Sequence, residues 1–270
     1  MDFYGFYTGR IFDAHEYLGA HPGSGGTTFR VFAPSARAVE LLALDRVLPM
    51  QKIYDGNFYE LTLPEAGPGT VYAYRVHPRQ GDPVDHCDPY GFGMELRPDH
   101  RSVVRDLDEY TFGDDAWRRR PLRPGAGPLN IYEIHLGSWR RREDGGFYTY
   151  EELAEPLADY LTESGYNAVE FLPLAEHPCD ESWGYQTTGF FAPTSRYGTA
   201  AGLMALVDTL HRRGIAVLLD FVPAHFAVDA YGLARFDGTC LYEYPSQDVG
   251  VSEWGSCNFM HSRGEVRSFL

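Results

Sequence analysis

The chain has 270 residues, more than one domain usually needs, so we expect two domains and a large core. Its net charge of -15, with acidic residues spread along the chain, argues against a nucleic-acid partner, because a phosphate backbone calls for a basic patch. The longest apolar run, around 215–224, contains Asp220 and is too short to cross a bilayer, so no membrane partner is expected.

Cysteine usage and the N-terminus indicate a compartment. Cys87, Cys179, Cys240 and Cys257 form no CxxC pair. Thiols at this low density are typical of a reducing environment. The first residues have neither the positive flank nor the apolar stretch of a signal peptide. We therefore expect a soluble cytoplasmic protein.

Short strands separated by turn signals fill residues 27–105. The strand segments are TTFRVFA, RAVELLAL, NFYELTL and TVYAYRVH, and the turns include YDGN and EAGPG. This pattern predicts a small antiparallel, immunoglobulin-like β-sandwich, which we assign to residues 1–113. A stretch rich in Pro, Gly and Arg follows without an apolar period, and we assign a linker to 114–130.

The hydrophobic period changes in the remaining part, 131–270. Three nearly continuous apolar runs, 131–138, 168–174 and 216–223, are typical of parallel strands that are buried on both faces. Because helical patterns lie between these runs, the order is strand, helix, strand, helix, strand. Such units close into a (β/α)8 barrel or open into a doubly wound sheet, and the period alone does not choose.

Local signals mark where the two helices begin and end. Thr149 with Glu152 predicts a capping box at the start of the first helix, and Pro156 predicts a kink inside it. Thr199 is the predicted cap of the second helix, and Gly214 is its predicted stop.

Chemistry is expected at the carboxyl ends of the strands. The long connection 175–199 has no helical period, and its Trp183 and Tyr185 offer aromatic faces on which a sugar ring could stack; packing within the loop is the alternative. Asp220 interrupts an apolar strand and needs a partner or a ligand, and His225 follows at the same rim. For this pair the structural alternative is a helix cap and a satisfied loop histidine.

Other polar residues favour structural roles. Glu133 and Glu170 lie within strands, where buried ion pairing explains them better than catalysis. Four residues near 176–180 lack the spacing of a metal site: Glu176, His177, Cys179 and Asp180. No phosphate-binding glycine loop, serine elbow or HExxH motif is present. The sequence predicts neither a metal nor a cofactor.

A resemblance to a known family rests on six segments in order between 131 and 270: IYEIHLGSWRR, GYNAVEFLPLAEHP, SWGYQTTGFFAPTSRYG, GIAVLLDFVPAHF, GLARFDGTCLYEY and EVRSFL. They resemble bacterial 1,4-α-glucan (glycogen) branching enzymes of glycoside hydrolase family 13. Upstream, YLGAHP and FRVFAP are similar to the family's accessory sandwich, a carbohydrate-binding module of family 48. The resemblance implies that 131–270 is the first part, about three βα units, of a (β/α)8 TIM barrel.

The resemblance also implies an activity and a substrate. The family acts in glycogen biosynthesis as a transglycosylase that cleaves α-1,4-glucan, such as amylose or glycogen, and transfers the segment to make α-1,6 branches. The mechanism is retaining, with two carboxylates about 5–5.5 Å apart. Asp220 and His225 match the region that holds the hydroxyls of the cleaved sugar. Tyr185 matches the aromatic on which that sugar stacks, and Trp183 is its neighbour in the same substrate-binding motif.

The departures from the family matter as much as the matches. The nucleophile on the fourth strand, the acid on the fifth and the aspartate after the seventh have no counterpart, so we assign no catalytic residue and expect the chain alone to be inactive. In the sandwich, LALDRVLPM (42–50) replaces a family loop, which predicts packing there rather than glucan binding. Because three strands leave edges unpaired, we expect a truncated product or half of a split enzyme, which self-associates or takes a complementary C-terminal chain.

Two alternatives stay open. Within the family, a trehalose-releasing hydrolase or a debranching enzyme shares the sandwich and the barrel, although EHP, GYQTTG and DFVPAHF favour branching. In another class, a non-catalytic α-glucan-binding or regulatory protein would keep only the residues that position the sugar.

Overall fold

The computed structural model describes residues 1–119 and 127–270. These residues form two compact units that alternate along the chain. The first unit comprises Met1–Asp106, Ala175–Ala192 and Val222–Leu270, and the second comprises Leu107–Leu174 and Pro193–Phe221. The predicted linker 114–130 includes residues 120–126, which lie outside the described residues. The domain boundaries that we assigned from the sequence remain predictions.

Residues 1–106 of the first unit are built mainly of antiparallel strands. After a helix, α1 (Phe3–Thr8), the strands are β1 (Gly19–Gly23), β2 (Gly26–Phe32), β3 (Ala38–Ala43), β4 (Arg46–Pro49), β5 (Gln51–Ile53), β6 (Phe58–Leu63), β7 (Val71–His77), β8 (Val84–His86) and β9 (Ser102–Val103). They form one sheet in the order β1-β2-β6-β5 and another in the order β4-β3-β7-β8, with β9 also beside β7.

The two sheets share one hydrophobic core. Residues of β2 alternate, so that Phe29 and Val31 are buried while Arg30 is half-buried, as expected of a strand with one face on a core. From the other sheet Leu41 and Tyr72 enter the same core, and the Tyr72 ring meets Phe29 edge-on with 4.9 Å between ring centroids. The predicted antiparallel sandwich is therefore confirmed.

A buried carboxylate organises one end of this core. The hydroxyls of Tyr72 and Tyr74 donate to Oδ2 of Asp88 at 2.8 and 3.0 Å, and the backbone N–H of Tyr90 donates to Oδ1 at 2.9 Å. These three donors compensate for only part of the lost hydration. As a result, burial raises the pKa of Asp88 from 3.8 to about 6.

The remaining described elements are helices and strands in mixed order. The helices are α2 (Asp115–Arg118), α3 (Leu136–Trp139), α4 (Tyr150–Glu163), α5 (Ala200–Arg212), α6 (Gln247–Gly250) and α7 (Gly264–Phe269). The strands are β10 (Ile131–Ile134), β11 (Ala168–Phe171), β12 (Ala175–Glu176), β13 (Gly189–Pro193), β14 (Ala216–Leu219), β15 (His225–Phe226) and β16 (Cys257–Asn258). Among these elements and α1, no helix is long and apolar enough to span a membrane.

The second unit is a parallel sheet with helices on one face. Its strands follow in the order β10-β11-β14, and Ala168 pairs with Ile131 on one side and Ala216 on the other. Leucines of α4 and α5 pack with Val169 and Phe171 of the sheet in one buried cluster. This arrangement is the predicted succession of βα units.

The predicted caps of the two helices and the predicted stop at Gly214 are confirmed, and the kink at Pro156 remains a prediction. Thr149 Oγ1 accepts from the backbone N–H of Glu152 at 3.2 Å, and Glu152 Oε2 accepts from the backbone N–H of Thr149 at 2.7 Å. α4 continues through Pro156 to Glu163. Thr199 Oγ1 caps α5 by accepting from a backbone N–H, and Gly214 beyond its end has a φ of 81°.

The edge strand β14 departs from the prediction. We expected strands buried on both faces, but Leu218 and Leu219 of β14 are 39% and 56% exposed. The reason is that, within 127–270, β14 is the edge of the sheet and neither of its faces is fully covered: Leu218 lies beside Glu170, and Leu219 lies beside Phe171 on the face that the helices pack against. Glu133 is also exposed and Glu170 only half-buried, so buried ion pairing is wrong for Glu133.

The elevated pKa of Asp88 makes stability depend on pH. The native state binds a proton more readily than the unfolded state between pH 4 and 6. Stability of the wild type relative to Asp88→Asn should therefore fall as the pH rises from 4 to 7, by about 3 kcal/mol at most. Urea unfolding across this range measures the difference. Asp45→Asn, at an exposed turn, is the matched control, and a pH-independent difference for Asp88→Asn would contradict the assignment.

Candidate functional site

A cavity with a volume of about 790 Å³ opens within the first unit. It lies between the segment 179–186, the segment 222–225 and a downstream loop. Its lining consists of Cys179, Glu181, Ser182, Tyr185, Gln186, Val222, Ala224, His225 and Trp254. Two of the residues predicted from the sequence, Tyr185 and His225, thus line the same cavity.

A hydrogen-bonded turn presents Tyr185 to this cavity. Ser182 Oγ donates to the carbonyl oxygen of Cys179 at 2.8 Å, and the backbone N–H of Tyr185 donates to the carbonyl oxygen of Ser182 at 3.0 Å. Trp183 and Gly184 between them have φ values of 54° and 92°. This left-handed pair reverses the chain direction, which a tryptophan tolerates poorly and glycine tolerates well.

Pairing of two short strands fixes His225. β15 pairs with β16, with His225 opposite Asn258. Phe226, the next residue, is fully buried, and its ring lies 4.6 Å from that of Phe259 between centroids. Because neighbouring residues of a strand point to opposite sides, burying Phe226 turns His225 towards the cavity.

The imidazole of His225 is neutral at physiological pH. Burial lowers its pKa below the ordinary 6.5. Its Nδ1 atom is buried and has no hydrogen-bond partner among the described residues. A neutral imidazole offers one donor and one acceptor, so it can hydrogen-bond to a ligand's hydroxyl groups.

Trp254 is a lining residue that our sequence reasoning missed. Its ring centroid lies 5.8 Å from that of His225, at an interplanar angle of 33°, and the side chain is 67% exposed. Ser252 holds the loop, because its Oγ accepts from the backbone N–H groups of Trp254 and Ser256 at 3.3 and 3.1 Å. The sequence did contain a signal. Trp254 is a large aromatic residue in the polar stretch SEWGS, where no hydrophobic periodicity assigns it to a core.

The other two predicted residues occupy different positions. Trp183 is 54% exposed and is not among the described residues that line the cavity. Asp220 belongs to the second unit, where it follows β14 and its backbone N–H donates to the carbonyl oxygen of Phe171 at 2.9 Å. The role of Asp220 in binding a sugar remains a prediction.

The lining of this cavity suits binding of an uncharged polyhydroxyl ligand. Tyr185 and Trp254 provide aromatic faces for the C–H side of a sugar ring, and Gln186 and His225 provide hydrogen-bonding groups. Among the described lining residues only Glu181 has a carboxylate, and the thiol of Cys179 donates to it at 3.0 Å and lowers its pKa. Retaining glycosidase chemistry requires two carboxyl groups. The described lining therefore does not by itself provide the pair of carboxyl groups that this chemistry requires.

Comparison with protein families gives two matches. Residues 17–91 match carbohydrate-binding module 48, described as the isoamylase N-terminal domain. Residues 151–237 match the alpha amylase catalytic domain. The sandwich and the βα units thus correspond to the two parts that the sequence resemblance implied.

Curated relatives match along the whole chain. The chain is 41% identical to a protein of Fusobacterium nucleatum, covering 100% of this chain and 45% of the relative. It is 45% identical to a protein of Nitrosomonas europaea, covering 100% of this chain and 38% of the relative. Both are named 1,4-alpha-glucan branching enzyme. The chain therefore spans less than half the length of these relatives.

Solved structures share the fold at lower sequence identity. A pullulanase from Bacillus acidopullulyticus matches 93% of this chain and 35% of its own, with a TM-score of 0.74 and 24% identity. The apo pullulanase from Paenibacillus barengoltzii matches 93% of this chain and 44% of its own, with a TM-score of 0.75 and 23% identity. The fold is that of a sandwich followed by the first part of an amylase-type catalytic domain.

Mutation of Trp254 tests whether its ring shields the imidazole of His225 from water. Removing the indole in Trp254→Ala should expose the imidazole to water and raise the pKa of His225 towards 6.5, because burial is what lowers it. NMR titration of the imidazole C–H resonances measures the shift. Trp183→Ala removes an exposed tryptophan outside the lining and should leave the titration unchanged. Equal shifts in both variants would show that Trp254 does not shield the histidine.

Proposed function

We propose a function from one premise: the chain is homologous, over its whole length, to the N-terminal part of bacterial 1,4-alpha-glucan branching enzymes, as its six ordered segments indicated. The protein to which these residues belong cleaves α-1,4-glucan and transfers the released segment to a 6-hydroxyl, which creates an α-1,6 branch. The observation that carries the proposal is identity of 41% and 45% to two branching enzymes across all of this chain.

Within that activity, these residues bind and position the glucan that is cleaved. The ring of Tyr185 stacks on a sugar, and the neutral imidazole of His225 hydrogen-bonds to its hydroxyls. Trp254 closes the opposite side of the cavity and limits how the sugar can tilt. Asp220 holds hydroxyls of the glucan from the second unit, and Trp183 is a further contact of the glucan. The shared cavity of Tyr185, His225 and Trp254 supports the first three assignments.

Bond cleavage requires residues beyond these. The family's nucleophile, general acid and third carboxylate match no position among the 270 residues. Without a nucleophile and an acid the double displacement has no covalent step, and positioning groups alone give no useful rate. These residues on their own are therefore inactive, and catalysis depends on further parts of an amylase-type domain.

The edge strand β14 is the place where those parts would pair. Leu218 and Leu219 are exposed although both are apolar. An edge strand also presents backbone N–H and C=O groups to any added strand. The matching occupant is the next parallel strand of the same domain, whether it lies in the same polypeptide or in a complementary chain. Self-association through β14 would also pair the backbone N–H and C=O groups of this edge.

Two other functions are less well supported. Debranching is disfavoured because the pullulanases are only 24% and 23% identical, a likeness that extends to fold alone. A non-catalytic α-glucan-binding role draws support from the single carboxylate of the described cavity lining.

All four cysteines are free thiols, which fits a cytoplasmic enzyme of glycogen metabolism.

A complementation assay tests the proposed activity. The chain is incubated with amylose alone, and then with a separately expressed C-terminal portion of a homologous branching enzyme. We expect no reaction alone and branching in the mixture, followed as loss of the iodine complex and appearance of α-1,6 linkages by NMR. Tyr185→Ala should lower the rate of the mixture about tenfold, equivalent to ~1.4 kcal/mol, whereas Tyr185→Phe keeps the stacking face.

Each result of the assay has one reading. Branching by the chain alone would overturn the statement that these residues are inactive on their own. Glucan binding that is lost in Tyr185→Ala, without branching in a mixture shown to associate, would favour the non-catalytic role. Debranching activity in the mixture would replace branching as the function.

A further inference from the structure

The sandwich carries an exposed aromatic platform outside the cavity. The ring of Tyr54 lies parallel to that of Phe3, with 3.8 Å between centroids and an interplanar angle of 6°. Phe3 therefore covers one face of Tyr54. The residue is nevertheless 65% exposed, which leaves the opposite face of the ring open to solvent.

The platform is held rigidly and at a conformational cost. Tyr54 has a φ of 54°, a left-handed backbone that bulky residues rarely adopt. The turn is closed by a hydrogen bond from the backbone N–H of Gly56 to the carbonyl oxygen of Ile53, at 3.0 Å. Phe3 is itself fixed by edge contacts with Phe58 at 5.1 Å and with Tyr17 at 5.7 Å. Tyr54 also approaches the buried ring of Phe58, with 6.2 Å between ring centroids, while its own side chain stays mostly exposed.

Polar groups border the open ring. Tyr7 Oη donates to Oδ2 of Asp55 at 2.5 Å, and Asn57 Nδ2 donates to Tyr7 Oη at 3.0 Å. Burial and the Asp55 carboxylate raise the pKa of Tyr7, so its hydroxyl stays protonated. In the same turn, the space that a side chain at Gly56 would occupy is open.

We propose that Tyr54 is the stacking platform of a second α-glucan contact, on the sandwich, with Asp55 and Asn57 as hydrogen-bonding partners of the sugar hydroxyls. The ligand class rests on the proposed function, and the location rests on the geometry of Tyr54. A flat ring with one open face and a polar border matches the C–H face and hydroxyl rim of a glucose unit. A protein partner would instead favour a contiguous apolar patch.

A second contact at Tyr54 predicts that long glucans bind more tightly than short ones. A long glucan can contact both this platform and the cavity lined by Tyr185, so the second contact forms at high effective concentration. Maltotriose is too short to gain in this way. Tyr54 therefore increases retention on glycogen and amylose rather than affinity for short oligosaccharides.

This location differs from the loop that the sequence singled out. The segment 42–50 was expected to pack rather than to bind glucan. The turn at Tyr54 lies between β5 and β6, on the sheet opposite to the one that contains β3 and β4. A glucan-binding role for the sandwich is thus compatible with the altered sequence at 42–50.

The test removes the ring while keeping the turn. Tyr54→Gly suits the left-handed backbone and lacks the platform, whereas Tyr54→Phe keeps both the ring and its stacking on Phe3. We expect Tyr54→Gly to weaken binding to glycogen in affinity electrophoresis about fivefold to tenfold, and Tyr54→Phe to change it less than about twofold. Maltotriose binding should be the same in all three proteins.

Matched variants separate this proposal from the proposed function. Tyr4→Ala removes another exposed tyrosine of the same unit, at 68% exposure, and should bind glycogen as the wild type does. Tyr54→Asn, which also tolerates the left-handed region, replaces Tyr54→Gly if the glycine variant unfolds at lower urea.

The outcomes distinguish the two sites. If glycogen binding falls in Tyr185→Ala but not in Tyr54→Gly, the platform is overturned and the cavity assignment stands. If it falls in Tyr54→Gly but not in Tyr185→Ala, the cavity assignment fails and the platform stands. An equal loss in Tyr4→Ala would show a nonspecific aromatic contact and would overturn the platform.

Discussion

A parallel sheet hydrogen-bonds only to neighbouring strands and must cover both of its faces, and this requirement shapes the second unit. The helices α4 and α5 cover one face with a continuous leucine-rich layer. At the β14 edge apolar side chains stay exposed on both faces, with Leu218 beside Glu170 and Leu219 beside Phe171. The three described strands thus have a firmly packed layer of helices on one face and a partly covered edge at β14. The capping box at Thr149 stabilises the start of α4, which is one of the helices of that layer.

In the first unit, the pairing of the two-residue strands β15 and β16 fixes the positions of Phe226 and His225. β15 and β16 place Phe226 in the main core and turn His225 into a cavity. β16 follows directly after the loop that carries Trp254. The pairing of β15 with β16 therefore also brings the ring of Trp254 near the imidazole of His225. The burial of Phe226 therefore orients His225 towards the cavity. There the surrounding protein lowers the pKa of the imidazole and keeps it neutral.

Local features of the fold followed from the sequence, and features set by long-range contacts did not. The strand periods, the caps at Thr149 and Thr199 and the parallel order depend on neighbouring residues, so they could be predicted. Trp254 was missed because only the pairing of β15 with β16 brings it near His225, 29 residues earlier in the chain. The exposure of β14 was missed because an apolar run indicates a strand but not how many of its faces are covered. A left-handed backbone at Tyr54 has no sequence signal, since the position carries no glycine or asparagine.

Charge explains why both candidate glucan contacts are aromatic. The chain is strongly acidic, and the ligand that we propose is an uncharged polysaccharide that gains nothing from a net electric field. Affinity must then come from ring stacking and hydrogen bonds, which act only at contact distance. A cavity that keeps His225 neutral retains both a donor and an acceptor, whereas a charged imidazole would offer donors alone. The carboxylates among the proposed contacts, Asp55 and Asp220, fit the same ligand, because a carboxylate accepts hydrogen bonds from uncharged hydroxyl groups.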